Sequence, residues 1–151
     1  METLDREATG TYYADILAFD ANDNPIMLVE VKARHEDSTF DQEQLEQYLT
    51  YTKDISYAML VTLRDIQIYE WKSQTLSLLL KASTADVLSV YEPEFLEKNI
   101  YHYYLATLVE VWLRDVEFHW KSETPPLFEQ LSQLGLAEKL NEGTTRSEQE
   151  L

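Results

Sequence analysis

Cysteine is absent from this 151-residue chain, which excludes disulfide bonds and thiolate metal sites. The three histidines, His35, His102 and His119, have no metal-ligand spacing, so a zinc site is not expected. No apolar run approaches the roughly 20 residues that a membrane-spanning helix needs. No basic segment followed by an apolar one opens the chain. Because the lack of cysteine also fits a reducing compartment, we expect a cytoplasmic protein without a membrane partner.

Basic residues are scarce as well. The chain has 12 Lys and Arg against 28 Asp and Glu, a formal net charge of −16. The acidity is spread evenly, with 6 basic and 15 acidic residues up to Lys72 and 6 and 13 beyond it. DNA affinity comes largely from Lys and Arg side chains that neutralise phosphates. If the chain binds DNA, it therefore either binds weakly alone or needs a partner protein to supply basic surface.

The remaining composition is that of a globular protein, with 44% hydrophobic and 26% charged residues. The length suits one domain with a core of its own. Two segments rich in β-branched and aromatic residues, 12–19 and 26–32, predict strands. Turn-forming residues separate them at 20–25. The sequence therefore predicts an antiparallel hairpin.

The register of this hairpin decides which charged side chains meet. A turn centred on the middle of 20–25 places three pairs opposite each other: Phe19 and Ile26, Leu17 and Leu28, and Asp15 and Glu30. Opposed residues have Cβ atoms about 4.5–5.5 Å apart, and side-chain alternation puts Lys32 on the face of Glu30. Two carboxylates this close repel each other, and a divalent cation such as Mg²⁺, which binds carboxylate oxygens and waters, would relieve the repulsion.

These residues resemble a known family. Asp15, followed on the next strand by Glu30-Val31-Lys32, is similar to the motif of the PD-(D/E)xK nuclease superfamily, which includes restriction endonucleases and repair nucleases. Ala14 stands where a proline usually precedes the Asp.

Downstream residues extend the resemblance. Residues 44–48, Gln-Leu-Glu-Gln-Tyr, match the Q-x-x-x-Y pattern of the nuclease domains of type I restriction motor subunits and some helicase-nucleases. Residues 57–62 and 66–71 resemble the strand pair that closes that domain, so the resemblance covers residues 10–72.

The resemblance implies an α/β fold of the restriction-endonuclease-like type, with a mixed β-sheet flanked by helices. It implies a Mg²⁺- or Mn²⁺-dependent DNA endonuclease, with the metal at Asp15, Glu30 and Val31. Lys32 would help to orient or activate the attacking water. Gln44 and Tyr48, one helical turn apart, would share a face and reach the site. The implied catalytic set is Asp15, Glu30, Lys32, Gln44 and Tyr48; the alternative is that Glu30 and Lys32 lie on a solvated strand face and Gln44 and Tyr48 on an ordinary helix face.

Further elements complete a core over residues 1–83. A helix is predicted at 39–53, begun by a capping box of Thr39 and Gln42. Strands are predicted at 56–63, 65–71 and 75–81, which gives a mixed sheet with a helix packed on one face. A short N-terminal helix is predicted over residues 1–10, in which Glu7 is either a further catalytic acid or an exposed helix residue.

A C-terminal helical extension, 84–140, is predicted to pack on this core. It comprises a short helix at 84–91, a longer one at 94–120 and an amphipathic one at 127–140, and residues 141–151 are predicted to be disordered. In residues 100–112, large apolar side chains cover most of the helix circumference, so this helix is buried or packed against another chain. Either it covers the free face of the sheet, or it also forms a homodimer contact through Tyr101, Tyr104, Leu108 and Trp112.

Three functions follow as alternatives. The first is a Mg²⁺-dependent DNA endonuclease or nuclease subunit. The second is a catalytically inactive module of the nuclease fold that binds a partner protein or assembles as a dimer, for which the acidic surface and the aromatic helix argue. The third is an accessory of a mobile-element or restriction system whose larger partner reads the DNA.

Overall fold

The computed structural model describes residues 12–151. The predicted N-terminal helix and Glu7 lie outside this range. Within it, the elements in chain order are β1 (Tyr13–Phe19), β2 (Pro25–Lys32), α1 (Thr39–Thr52), β3 (Tyr57–Thr62), β4 (Asp65–Lys72), β5 (Thr75–Ser83), α2 (Thr84–Leu88), α3 (His102–Phe118), α4 (Phe128–Gln133), α5 (Leu136–Leu140) and β6 (Thr144–Glu150).

The strands form a single mixed sheet in the order β5-β4-β3-β2-β1-β6. β2 and β3 are parallel, and the other neighbouring strands are antiparallel. A parallel pair cannot be joined by a hairpin, so the chain crosses from β2 to β3 through α1. The predicted mixed α/β architecture is confirmed.

Both faces of the sheet are covered, because side chains alternate along each strand. On one face, Ile16 and Val29 pack in a core with Leu105, Val109 and Trp112 of α3. On the other face, strand residues such as Leu17 and Leu28 pack against α1. α1 contributes the predicted apolar stripe, since Leu45, Tyr48 and Leu49 are buried. The two helices therefore lie on opposite faces of the sheet.

The β1–β2 register is as predicted over its centre, where Leu17 pairs with Leu28. The predicted pairing of Phe19 with Ile26 is wrong, because a bulge between Ala18 and Phe19 moves Phe19 opposite Pro25. The turn is held by Asp20, whose Oδ1 accepts from the main-chain N–H groups of Asn22 and Asn24, both at 2.9 Å.

The N-cap of α1 also differs from the prediction. Its N-cap is Ser38, whose hydroxyl oxygen accepts from the N–H of Phe40 at 3.2 Å, so the predicted capping box at Thr39 is wrong. Ser and Thr are both favoured at the N-cap, Ser the more so, and the capping-box spacing from Thr39 to Gln42 points to the weaker of two neighbouring candidates.

The helices after β5 are shorter than predicted, and one of them is divided in two. α2 ends at Leu88 rather than at residue 91, and α3 begins only at His102 rather than at residue 94. The single helix predicted over 127–140 is two helices, because Gly135 between them is left-handed, with φ of 79°. None of the helices within residues 12–151 is long and apolar enough to cross a membrane.

The predicted homodimer contact on α3 needs correction. Trp112 is fully buried and Leu108 is 4% exposed, both in the core of this same chain. The indole N–H of Trp112 donates to the carbonyl of Pro126 at 2.9 Å, which fixes the ring inside. A dimer contact through these two residues is therefore wrong, whereas Tyr101 and Tyr104 lie on the surface.

The predicted disorder of residues 141–151 is also wrong. β6 pairs antiparallel with β1 from Thr144 to Glu150 and forms an edge of the sheet. The main chain just before β6 packs closely against β1, because a Cβ on Gly143 would lie 2.0 Å from the carbonyl oxygen of Phe19. β6 is almost entirely polar, with Thr145 its only buried residue, so it lacks the apolar alternation by which strands are recognised.

Candidate functional site

The predicted site residues meet in one pocket. A cavity of about 330 Å³ lies where β1 begins and β2 ends. It is lined by all five residues of the predicted catalytic set, Asp15, Glu30, Lys32, Gln44 and Tyr48, and also by Val31. The structure therefore places every predicted site residue around the same space.

Strand alternation explains this placement. Leu28 is buried on the face that α1 covers, so Glu30 and Lys32, two and four residues further along β2, share that face. Continuing the register of β1 and β2 sets Asp15 beside Glu30. α1 crosses the same face and closes the pocket with Gln44 and Tyr48.

Each carboxylate is held by the main chain of the opposite strand. The N–H of Asp15 donates to Glu30 Oε2 at 3.0 Å, and the N–H of Val31 donates to Asp15 Oδ2 at 2.7 Å. Hydrogen bonds to ionised groups are stronger than those between neutral groups. Glu30 is 4% exposed, so its carboxylate is also sheltered from water. The two acids are therefore fixed in position before any ligand binds.

The wall formed by α1 offers a further acceptor. Gln44 Nε2 donates to the hydroxyl of Tyr48 at 3.1 Å, which confirms that the two residues share a face. Gln44 Oε1 is buried, and within residues 12–151 no donor reaches it. A buried acceptor left in this state costs about 1–3 kcal/mol. Gln44 Oε1 is therefore suited to accept a hydrogen bond from a ligand.

Four residues that the sequence did not assign to the site also line the pocket, namely Tyr13, Ala33, Arg34 and His102. Arg34 is anchored by a 2.5 Å ion pair to the buried carboxylate of Asp41, and this hydrogen bond raises the pKa of Arg34. His102 Nε2 lies 3.6 Å from Asp15 Oδ1. Arg34 follows Lys32 at the two-residue spacing of a strand face, a signal that was available. His102 comes from the first residue of α3, and no spacing in the sequence indicates it.

The donor set determines which metal fits. Within the described part of the chain, no group of three or more His, Cys, Asp and Glu side chains has a metal-binding arrangement. Among the lining residues, Asp15 and Glu30 offer carboxylate oxygens to a cation, and Val31 can contribute only through its main chain. Mg²⁺ is commonly bound by one or two carboxylates and retains several waters, so these two carboxylates suit Mg²⁺.

Comparisons with protein-family models, with curated proteins and with solved structures found no match for the chain. The function has to be argued from the chemistry of the site itself.

Proposed function

We propose that the protein is a metal-dependent nuclease that hydrolyses phosphodiester bonds of DNA. The observation that carries this proposal is the pair of carboxylates, Asp15 and Glu30, interlocked through the main chains of β1 and β2, with Lys32 in the same pocket. A fixed acid pair with an adjacent ammonium group is the set of parts that phosphodiester hydrolysis needs.

Each residue then has a distinct role. Mg²⁺ held by Asp15, Glu30 and the main chain of Val31 would offset the charge on the phosphate and make a bound water more acidic. The Lys32 ammonium would donate a hydrogen bond to the attacking water or to the scissile phosphate. The water oxygen bonds to phosphorus and loses its proton to solvent, while the phosphorus–oxygen bond to the leaving nucleotide breaks and that oxygen takes up a proton. Gln44, already bonded to Tyr48, orients the water or substrate through its buried Oε1. The rigid carboxylates keep these groups aligned, which lowers the entropic cost of reaction.

The arrangement of the sheet supports a restriction-endonuclease-like fold as part of the same proposal. The acid pair spans an antiparallel hairpin, and a helix that bears Gln44 and Tyr48 leads to a parallel third strand. This is the order of elements that the resemblance to the PD-(D/E)xK superfamily implies. The region from β1 to β4 contains every residue of the proposed catalytic set.

Cleavage of supercoiled plasmid with Mg²⁺ or Mn²⁺ tests the proposal. Lys32→Ala should lower the rate at least about 100-fold, the lower end of what positioned proton donors contribute. Lys72→Ala is the matched control, because it removes the same charge from an exposed position at the end of β4. Lys32→Arg should also be impaired, because a planar guanidinium does not replace a compact ammonium beside a water. Wild-type protein that leaves DNA intact with both metals, or equal cleavage by Lys32→Ala, would contradict the proposal.

The charge of the chain favours a second candidate, a module of the same fold that binds a partner instead of cutting. A net charge of −16 opposes binding to DNA, and it would suit a subunit whose partner protein contacts the DNA. A folded protein that binds no metal and cuts no DNA would favour this alternative. Homodimerisation also stays a prediction, which light scattering across a salt series tests.

A further inference from the structure

Exposed aromatic side chains lie at the N-terminus of α3, where His102 enters the pocket. Tyr101 is 71% exposed and Tyr103 is 73% exposed. The ring of Tyr103 stands edge-on to the ring of His102, with centroids 5.4 Å apart. His102 lines the pocket and lies 3.6 Å from Asp15. The rings of His102 and Tyr103 therefore lead from the acid pair to the solvent.

Both aromatic and cationic side chains line the pocket. Tyr13 of β1 and His102 of α3 contribute rings, while Lys32 and Arg34 contribute positive charge from the end of β2 and the segment after it. Proteins that bind single strands combine a cationic groove for the backbone with aromatic rings on which bases stack. The pocket and its rim present both kinds of group side by side.

The composition of the chain favours base stacking over ionic contacts as the source of affinity for nucleic acid. Only 12 of 151 residues are Lys or Arg, against 28 acidic residues. Binding of intact duplex depends on many phosphate contacts, and Arg34 is in addition partly neutralised by Asp41. Stacking on a ring needs no cation. It does need an accessible base face, which paired bases in a duplex conceal and unpaired bases expose.

We propose that Tyr101 and Tyr103 form a base-stacking subsite, so that the pocket accepts unpaired, single-stranded nucleotides in preference to intact duplex. Lys32 and Arg34 contact the backbone, and the bases turn towards α3. This inference rests on the proposed function for its substrate class, but it concerns binding and not the chemical step.

Fluorescence anisotropy tests it with a labelled single-stranded oligonucleotide and the same sequence as a blunt duplex, both with Ca²⁺ in place of Mg²⁺ to separate binding from hydrolysis. The single strand should bind at least about tenfold more tightly. Replacing both residues by alanine, Tyr101→Ala with Tyr103→Ala, should lower single-strand affinity by about tenfold or more, the scale of losing one stacked base. The loss should persist at high salt, because stacking is not an ionic contact.

Two control variants separate stacking from other effects. Tyr103→Phe together with Tyr101→Phe keeps the rings and should retain wild-type affinity. Phe118→Ala removes an aromatic residue that is 56% exposed at the other end of α3, and it should change nothing.

The outcomes distinguish this inference from the nuclease proposal. Tyrosine-dependent single-strand binding without any cleavage would support the subsite and contradict the nuclease. The subsite would be overturned, and the nuclease proposal retained, by a protein that cleaves DNA with metal but binds single strand and duplex equally. In that case the alanine variant would also bind the single strand with wild-type affinity. Binding of neither oligonucleotide would also overturn the subsite.

Discussion

Arg34 and Asp41 join the end of β2 to the first turn of α1 through an ion pair of 2.5 Å. The two partners differ in environment, because the Asp41 side chain is 2% exposed and the Arg34 side chain 37% exposed. Asp41 Oδ2 has no hydrogen-bond partner within residues 12–151, so Arg34 provides the compensation for a buried charge. The pair also fixes the strand that carries Glu30 and Lys32 against the helix that carries Gln44 and Tyr48.

Removal of Arg34 should therefore lower the free energy of unfolding more than removal of Asp41. Arg34→Met leaves the Asp41 carboxylate buried and unpaired, and we expect it to lower the free energy of unfolding by about 2 kcal/mol, less than for a fully buried pair since water reaches Arg34. Asp41→Asn leaves only a guanidinium that can turn to solvent, and we expect a loss of less than about 1 kcal/mol. Urea unfolding of both variants measures the difference. The opposite order would show that the helix depends on Asp41 for another reason.

Metal binding should stabilise the fold if Asp15 and Glu30 are ligands. A ligand that binds only the folded state adds about 2.7 kcal/mol at a concentration 100 times its dissociation constant. We expect Mg²⁺ or Mn²⁺ at millimolar concentration to raise the melting temperature of the wild type, and Glu30→Gln to abolish the shift. Glu94→Gln is the control, because Glu94 is 65% exposed in the segment before α3. An unchanged melting temperature in the wild type would favour the module that binds a partner.

The site was predictable from sequence because it depends on local rules. Turn formers at Asp20 and Asn24 and strict alternation along β2 fix which side chains share a face, and Asp15, Glu30 and Lys32 follow from that. The bulge at Phe19 escaped prediction, but it lies at the turn end of the hairpin and leaves the acid pair in register.

The parts that sequence reasoning missed depend on contacts between distant segments. His102 reaches Asp15 only because α3 lies across the sheet. The aromatic residues of α3 give no sign in the sequence of which face inwards; a dimer contact through Trp112 is one of two alternatives there, yet Trp112 fills the core of its own chain. β6 has no apolar pattern and exists because β1 offers an unpaired edge.

The close contact between Gly143 and Phe19, just before β6, can be tested by substitution. Gly143→Ala would place a methyl group against the main chain of Phe19, which cannot move aside as a flexible side chain could. We expect a loss of about 1–3 kcal/mol, typical of overpacking, and faster amide hydrogen exchange across β1 and β6. Gly135→Ala is a useful comparison, because nothing lies within 4 Å of its Cβ position and only its φ of 79° is strained. Unaltered exchange in β6 after Gly143→Ala would show that the close approach to Phe19 can relax.

A buried acid far from the pocket provides a separate test of the packing of α3. Glu117 is 1% exposed, and neither of its carboxylate oxygens has a hydrogen-bond partner within residues 12–151. Burial raises the pKa of Glu117 to about 7 from its ordinary value of 4.5; the charge of Arg114 opposes this shift and that of Glu110 adds to it. The folded state therefore holds a proton on Glu117 at pH values where the unfolded chain has lost it.

This excess of bound protons in the folded state makes stability fall as the pH rises. The contribution of Glu117 is fully present below pH 4.5 and is lost by about pH 7, and a shift of this size corresponds to roughly 3 kcal/mol. Glu117→Gln stays neutral throughout, so we expect it to match the wild type near pH 4.5 and to become more stable than the wild type by up to that amount at pH 8. Urea unfolding at several pH values measures the difference, and Glu123→Gln, at an exposed position, should show no such trend. A Glu117→Gln variant that is equally destabilised at pH 5 and pH 8 would contradict the prediction, because it would show that the carboxylate is accommodated in its charged form.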